Sequence, residues 1–268
     1  MPDKELNGWE GDMPSEALAM AARQRPQFNY RLSGLPYRSI EETIAVLDAK
    51  ATTRSVRAGL EIVSEGRRCA QFFVVVEGIG MRYRVLRDGQ RQVLNLVLPG
   101  DLPGIPSCFF ETALYSIRSL TPMVLLPVSV ARLIALFETH PRAAAKLLCG
   151  FAAESAVNAE RLITLGRRSA TERIAHFLLE LFTRLQTLGL TQDHSFRVPL
   201  TQEMLSDALG LSIPYVNRVL HKLREEGLVR IKDQVVFIDN PEELEALADF
   251  EDDYLTPLSI AELAAEIA

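Results

Sequence analysis

The spacing of apolar residues along this chain changes character near Pro127, and no other feature restricts the fold as much. Before that point, short β-rich runs occupy residues 60–64, 72–77, 81–86, 93–98 and 123–126. Gly59, Gly66, Gly78, Gly80, Gly89, Gly100 and Gly104 punctuate them. Bursts of strand length bounded by turn residues are the pattern of a compact barrel or roll. Arg87-Asp88-Gly89-Gln90 reads as one hairpin connection. After Pro127 the period lengthens to that of a helix. Residues 130–138 predict a short helix, and Pro141, favourable in a first turn, opens a long one reaching about residue 165. Another amphipathic helix spans 170–188, after the break at Gly166-Arg167-Arg168-Ser169. A chain of 268 residues, 48% of them apolar, supports two folded units. The expectation is an α+β fold with a β-roll, then a long helix, then a helical C-terminal domain.

The long helix carries an apolar stripe broader than one small roll would cover. Its Leu147, Leu148, Phe151, Ala152, Ser155, Ala159 and Leu162 suit the seam of a two-fold helix pair, because small residues let two helices approach closely. The alternative is a helix packed only on its own domain.

Residues 200–229 carry the strongest local signal. Thr201 suits the N-cap of a short helix whose inward face is Leu205, Ala208 and Leu209. Gly210 supplies a tight turn, Leu211 plugs the corner, and Ser212 caps a second helix with Pro214 in its first turn. In that helix Val216, Val219, Leu220 and Leu223 repeat at helical spacing and define a buried face. Ile213, Pro214, Asn217, Arg218 and His221 fall on the other side. Arginine and asparagine carry the forked donors and acceptors that match guanine and adenine edges in a major groove. Gly227 ends the helix, and residues 229–232 and 235–238 form a hairpin, or wing, with Arg230 and Lys232 placed for phosphates. This is the sequence of a DNA-binding winged helix-turn-helix. An ordinary helical hairpin with a solvated arginine face is the competing reading.

Net charge is −6, yet every lysine and arginine lies at or before Lys232 and the remainder is acidic, so a basic face elsewhere is compatible with the total. Cys69, Cys108 and Cys149 stand singly, with no CxxC pair, which argues against a disulfide framework, a zinc finger and a cysteine-ligated cluster. His140, His176, His194 and His221 have no second ligand at metal spacing, which argues against haem or metal sensing. No apolar run reaches membrane length, and the first residues lack a secretory signal, so a cytoplasmic chain is expected. There is no Ser/His/Asp constellation, no GxxxxGK[ST] loop and no paired metal motif, so an enzyme is not expected.

The order of parts resembles the Crp/Fnr superfamily of catabolite-activator-like regulators. The resemblance covers residues 31–245 and rests on residues 59–61, Glu65-Gly66, residues 73–78, Leu98-Pro99-Gly100-Asp101, the long helix, Arg173-Ile174-Ala175 and the helix-turn-helix. It implies an N-terminal double-stranded β-helix, of the cyclic-nucleotide-binding type, at 31–140 after an extension at 1–30. A dimerisation helix and hinge follow at 141–168, then a winged helix-turn-helix at 169–245 and an acidic tail at 246–268. It implies a bacterial homodimer on double-stranded DNA, with RNA polymerase as a further partner. Arg218 stands at the family's base-reading arginine, while Thr201, Gln202 and Ser212 match backbone-holding positions; His221, on the outer face of the second helix, is a further candidate for phosphate contact. Pro214 replaces a base-reading glutamate, and Asn217 is not the usual residue, so the DNA target differs from that of the best-known members. The cyclic-nucleotide signature is missing too: Leu102-Pro103-Gly104-Ile105-Pro106-Ser107 and Ala113-Leu114-Tyr115-Ser116 supply no ribose carboxylate and no phosphate arginine. The N-terminal cysteine cluster of the iron–sulfur branch is also missing. No cofactor is therefore expected, and the roll either holds an unidentified ligand or works without one, the second being favoured.

A small-molecule sensor whose helical hairpin docks a protein partner is the alternative function. The acidic tail reads as a solvated spacer; the alternatives are competition with DNA for the basic face, or docking through Leu255, Leu258, Ile260 and Leu263.

Overall fold

The computed structural model describes residues 9–13 and 53–256. The sequence also predicts a short Ala-rich helix from Ser15 to Arg23 and another from Ile40 to Ala49; these, with Leu258, Ile260 and Leu263, lie outside the described residues. The chain divides into two compact units, with the boundary in the long helix between Ala144 and Ala145.

The first unit is a roll of two four-stranded antiparallel sheets. β1 (Trp9–Met13), β2 (Thr53–Val56), β8 (Met123–Ser129) and β4 (Gln71–Glu77) form one sheet in that order, and β3 (Glu61–Val63), β7 (Ser116–Ser119), β5 (Gly80–Val85) and β6 (Arg91–Val97) form the other. β1 pairs with β2, so part of the expected N-terminal extension is an edge strand. Val56, Ile62, Val63, Phe73, Val75, Val97, Tyr115, Ile117, Met123 and Leu125 fill the interior. β4 is buried on both faces from Phe72 to Val76. Along its free edge run the residues after β6, with Phe73 and Val75 donating to the carbonyls of Pro103 and Asp101 at 3.0 Å each. That strap leads into α1 (Ile105–Cys108), a single turn packed on β4. Gly78 cannot be replaced cheaply: its φ is +87°, and a Cβ there would sit 2.2 Å from the Pro122 carbonyl oxygen. α2 (Val130–Thr139) follows β8, and Ser129 caps it by accepting from the Arg132 amide.

α3 (Pro141–Arg167) begins in the first unit and continues through the second. The second unit then holds α4 (Ala170–Thr187), β9 (Thr191–Gln192), β10 (Ser195–Arg197), α5 (Gln202–Leu209), α6 (Ile213–Glu225), β11 (Val229–Lys232), β12 (Val235–Ile238) and α7 (Pro241–Ala248). A capping box starts α4, because Ser169 accepts from Glu172 while the Glu172 carboxylate accepts from the Ser169 amide at 2.6 Å. Ile174, Ala175, Leu178, Leu179, Leu181 and Leu185 are buried, making α4 the spine of the unit. The sheet order is β11-β12-β10-β9.

The acidic tail begins later than residue 246. α7 packs on α4 with Leu244 and Ala248 fully buried, and a 3-10 turn at Asp253–Leu255 buries Leu255. The physical reason is that acidic side chains occupy the outer face while the apolar residues at i and i+4 turn inward. Phe250 packs edge-on against His176 at 5.1 Å, and Tyr254 stacks on it at 6.1 Å.

Candidate nucleic-acid interface

The geometry of the second unit is set by its caps. The Thr201 hydroxyl oxygen accepts from the Met204 amide at 3.1 Å and starts α5. Gly210 ends it in the left-handed region, at φ +63°, and donates to Ser206. The Ser206 hydroxyl in turn donates to the Leu211 carbonyl, closing the corner. Ser212 precedes α6, but not as expected, since its side chain makes no capping bond. The amides of Tyr215 and Val216 both donate to its carbonyl at 2.9 Å. With Pro214 in the first turn removing one donor, the Ser212 hydroxyl is exposed at the positive end of the helix.

α6 buries Val216, Val219 and Leu223, with Leu220 half-buried. Ile213, Pro214, Asn217, Arg218 and His221 all face solvent, together on the opposite side. Tyr215 joins them, 42% exposed, and the Arg218 guanidinium lies 5.4 Å from its ring centre. That cation–π contact restricts an otherwise flexible side chain, and sequence reasoning missed it, although the i, i+3 spacing of tyrosine and arginine is a visible signal. His221 Nδ1 sits 3.1 Å from Glu225, and Lys222 pairs with Glu226 at 3.7 Å. Thr201 and Gln202 are exposed at the start of α5.

The wing turns through Asp233 and Gln234, both left-handed at φ +50° and +63°, as a two-residue hairpin loop demands. Arg197 donates to the Asp233 carbonyl at 2.9 Å and Val198 to that of Gln234 at 3.0 Å, so β10 braces the turn. Lys232 is exposed at the end of β11. Arg230 is a correction. Its guanidinium makes two 2.6 Å bonds to Asp239 and lies over Phe237 at 4.9 Å. These bonds hold the Asp239 carboxyl below its usual range, and the bidentate carboxylate offsets the charge that Arg230 would present to a phosphate.

On α3 the residues named for a helix pair separate into two groups. Leu148 is 70% exposed and Leu162 73%, and Phe151, Ala152, Ser155 and Ala159 are exposed between them on one face. Leu147 is instead buried within the protomer and has nothing left to offer a second copy. One residue from Leu148, it is turned by about 100° to the flank of the stripe.

The junction after α3 is tightly held. Arg168 donates to Glu160 at 2.5 Å and to Thr164 at 2.7 Å, and reaches the Asp249 carbonyl at 3.3 Å. Arg173 bonds the carbonyls of Arg168 and Leu209. His176 is buried 3.2 Å from Glu160, and its pKa is lowered first by burial and then by the Arg168 charge. Buried Glu180 is held in its charged form by Arg161 and Arg184, which outweigh the opposing effect of burial.

Among the described residues no group of three or more His, Cys, Asp or Glu is arranged to hold a metal, and no helix is long and apolar enough to cross a membrane. Cys69 and Cys108, which stand apart in sequence, bring their sulfurs to 3.6 Å.

Comparisons with known proteins agree with this architecture. Residues 172–247 match the Crp-like helix-turn-helix domain, and residues 53–140 match the cyclic nucleotide-binding domain. The solved structure of FixK2 from Bradyrhizobium japonicum superimposes with a TM-score of 0.66 at 28% identity, covering 74% of this chain and 96% of that one. The transcriptional activatory protein AadR of Rhodopseudomonas palustris is 31% identical over 189 residues, 70% of this chain and 77% of its own length. The nitrogen fixation regulation protein FixK of Bradyrhizobium diazoefficiens is 30% identical over 192 residues, 71% and 79% of the two chains. Identity at this level over more than two thirds of both chains, on a shared fold, makes this chain a member of the Crp/Fnr family of DNA-binding transcription regulators.

Proposed function

We propose that the protein is a cytoplasmic homodimer that binds a two-fold symmetric duplex site and reads it with α6. One observation carries this reading: the buried Val216, Val219 and Leu223 force Ile213, Pro214, Asn217 and Arg218 outward as a single face. Arg218, held over Tyr215, pairs with guanine, Asn217 selects a neighbouring base, and Ile213 and Pro214 supply apolar contact. Thr201, Gln202, Ser212, His221 and Lys232 hold the phosphate backbone and set the register, without adding sequence information. Two copies join along the exposed stripe of α3 from Leu148 to Leu162. RNA polymerase is the further partner this family membership suggests. The family is one of regulators, not catalysts.

The proposal includes no cyclic nucleotide. From Gly104 to Ser116 the side chains turned inward are Ile105, Ser107, Ala113, Tyr115 and Ser116, while Glu111 faces solvent. That set has no carboxylate for a ribose. The Arg82 guanidinium enters the roll from β5, but it lies over the Tyr115 ring at 4.8 Å. These residues do not fit the nucleotide.

Selection of bound duplexes from a random pool tests the reading. An inverted repeat with half-sites about 34 Å apart is expected. Recovery of unrelated sequences, or of none at low salt, contradicts it.

A further inference from the structure

We propose that Cys69 and Cys108 are a redox modification site, where a peroxide creates an intramolecular disulfide that staples α1 to the loop between β3 and β4. Their sulfurs are 3.6 Å apart although the residues are 39 positions apart in sequence. A bonded pair needs about 2.05 Å, a closure small enough for side-chain rotation. Both thiols are partly exposed, so a small oxidant reaches them. The two segments are already in contact. The Cys108 amide donates to the Gly104 carbonyl at 3.2 Å, and the Cys69 sulfur lies 4.0 Å from that same oxygen. Further along the same two segments, Gly66 donates to the Ala113 carbonyl at 2.9 Å and Ala113 to that of Arg67 at 2.7 Å. The staple thus joins two segments that are in register before oxidation. It fixes the turn that presents Phe109 and Phe110, which are 62% and 56% exposed.

Burial, and then the neighbouring Cys69 sulfur, push the Cys108 thiol up to about 12. With Cys69 as the attacking thiolate, the form of the group that is nucleophilic, two steps close the bond. The thiolate bonds the terminal peroxide oxygen, the O–O bond breaks, and the second oxygen leaves with the electron pair, taking a proton to become water. Cys69 is then a sulfenic acid. The Cys108 sulfur displaces hydroxide from the Cys69 sulfur, and the thiol proton leaves with that hydroxide as a second water. Two thiols have lost two electrons to one peroxide. A dithiol reductant reverses the step.

The test treats the reduced full-length protein with one equivalent of hydrogen peroxide, then alkylates it and maps non-reduced tryptic peptides. Alkylatable thiols should fall from three to one, leaving Cys149. A peptide of residues 69–82 linked to one of residues 92–118 should appear and vanish with dithiothreitol. Cys69→Ser and Cys108→Ser should each abolish it, whereas Cys149→Ser should not. Retention of three thiols, oxidation that ends at a sulfinic acid, or linkage through Cys149 would overturn the proposal. This readout is independent of DNA binding.

Discussion

Truncating Leu162 should dissociate the proposed dimer by an amount that its exposure in the single chain sets. Its side chain is 73% exposed in the protomer, so a second copy has most of it left to cover. Leu162→Ala removes three carbons, and each buried methylene is worth about 0.8 kcal/mol. Scaled by exposure, the loss is roughly 2 kcal/mol per protomer. A two-fold interface counts the substitution twice, giving about 3–4 kcal/mol, or a several-hundred-fold rise in the dimer dissociation constant. Alanine is the best helix former, so α3 itself should persist. Leu190→Ala is the control, because Leu190 is also exposed, at 43%, but lies off the helix. Sedimentation velocity over a concentration series measures both. If Leu162→Ala and Leu190→Ala dissociate at the same concentration as the parent, the stripe is not the interface.

Further predictions concern the second unit. The native state holds the His176 pKa below its unfolded value of about 6.5, so the unfolded chain binds the extra proton and stability falls as pH drops through that value. Thermal midpoints at pH near 7.5 and 5.5 should therefore lie closer together in His176→Gln, and an unchanged gap would count against the assignment. Lys232→Ala should lower DNA affinity across all sequences and reduce the salt slope by about one, whereas Arg230→Ala, already committed to Asp239, should leave the slope intact. Salt-titrated anisotropy separates them, and an equal loss of slope in both refutes the distinction. Leu255→Ala should cost about 2–3 kcal/mol in urea unfolding, because Leu255 is only 8% exposed; a neutral result would return residues 249–256 to the role of solvated tail.

The parts legible in the sequence are those whose information is local. The face of α6 follows from residues three and four apart, and the turn before it from one glycine. The strands β3 to β6 and β8 announce themselves by apolar runs between glycines. No local signal marks β2 and β7, because Thr53-Arg54-Ser55-Val56 and Ser116-Ile117-Arg118-Ser119 are short and half polar. Pairing within the sheets, with Arg54 opposite Leu125 and Arg82 opposite Ile117, makes them strands. α1 escaped as a single turn containing a proline. α7 was hidden by its carboxylates, although Asn240 as a cap, Pro241 in the first turn, and Leu244 and Ala248 four apart were readable signals. The pairing of Arg230 with Asp239 and the approach of Cys69 to Cys108 depend on hairpin register and packing, which no local window contains.

In the proposed mode of binding, Arg218 on the outward face of α6 selects sequence. Competition binding of Arg218→Ala to the selected duplex and to random duplex, at one salt concentration, measures it most directly. The expected loss is about 1–3 kcal/mol on the selected duplex and nearly none on random DNA. Equal losses on both duplexes, or an unchanged preference, would contradict it.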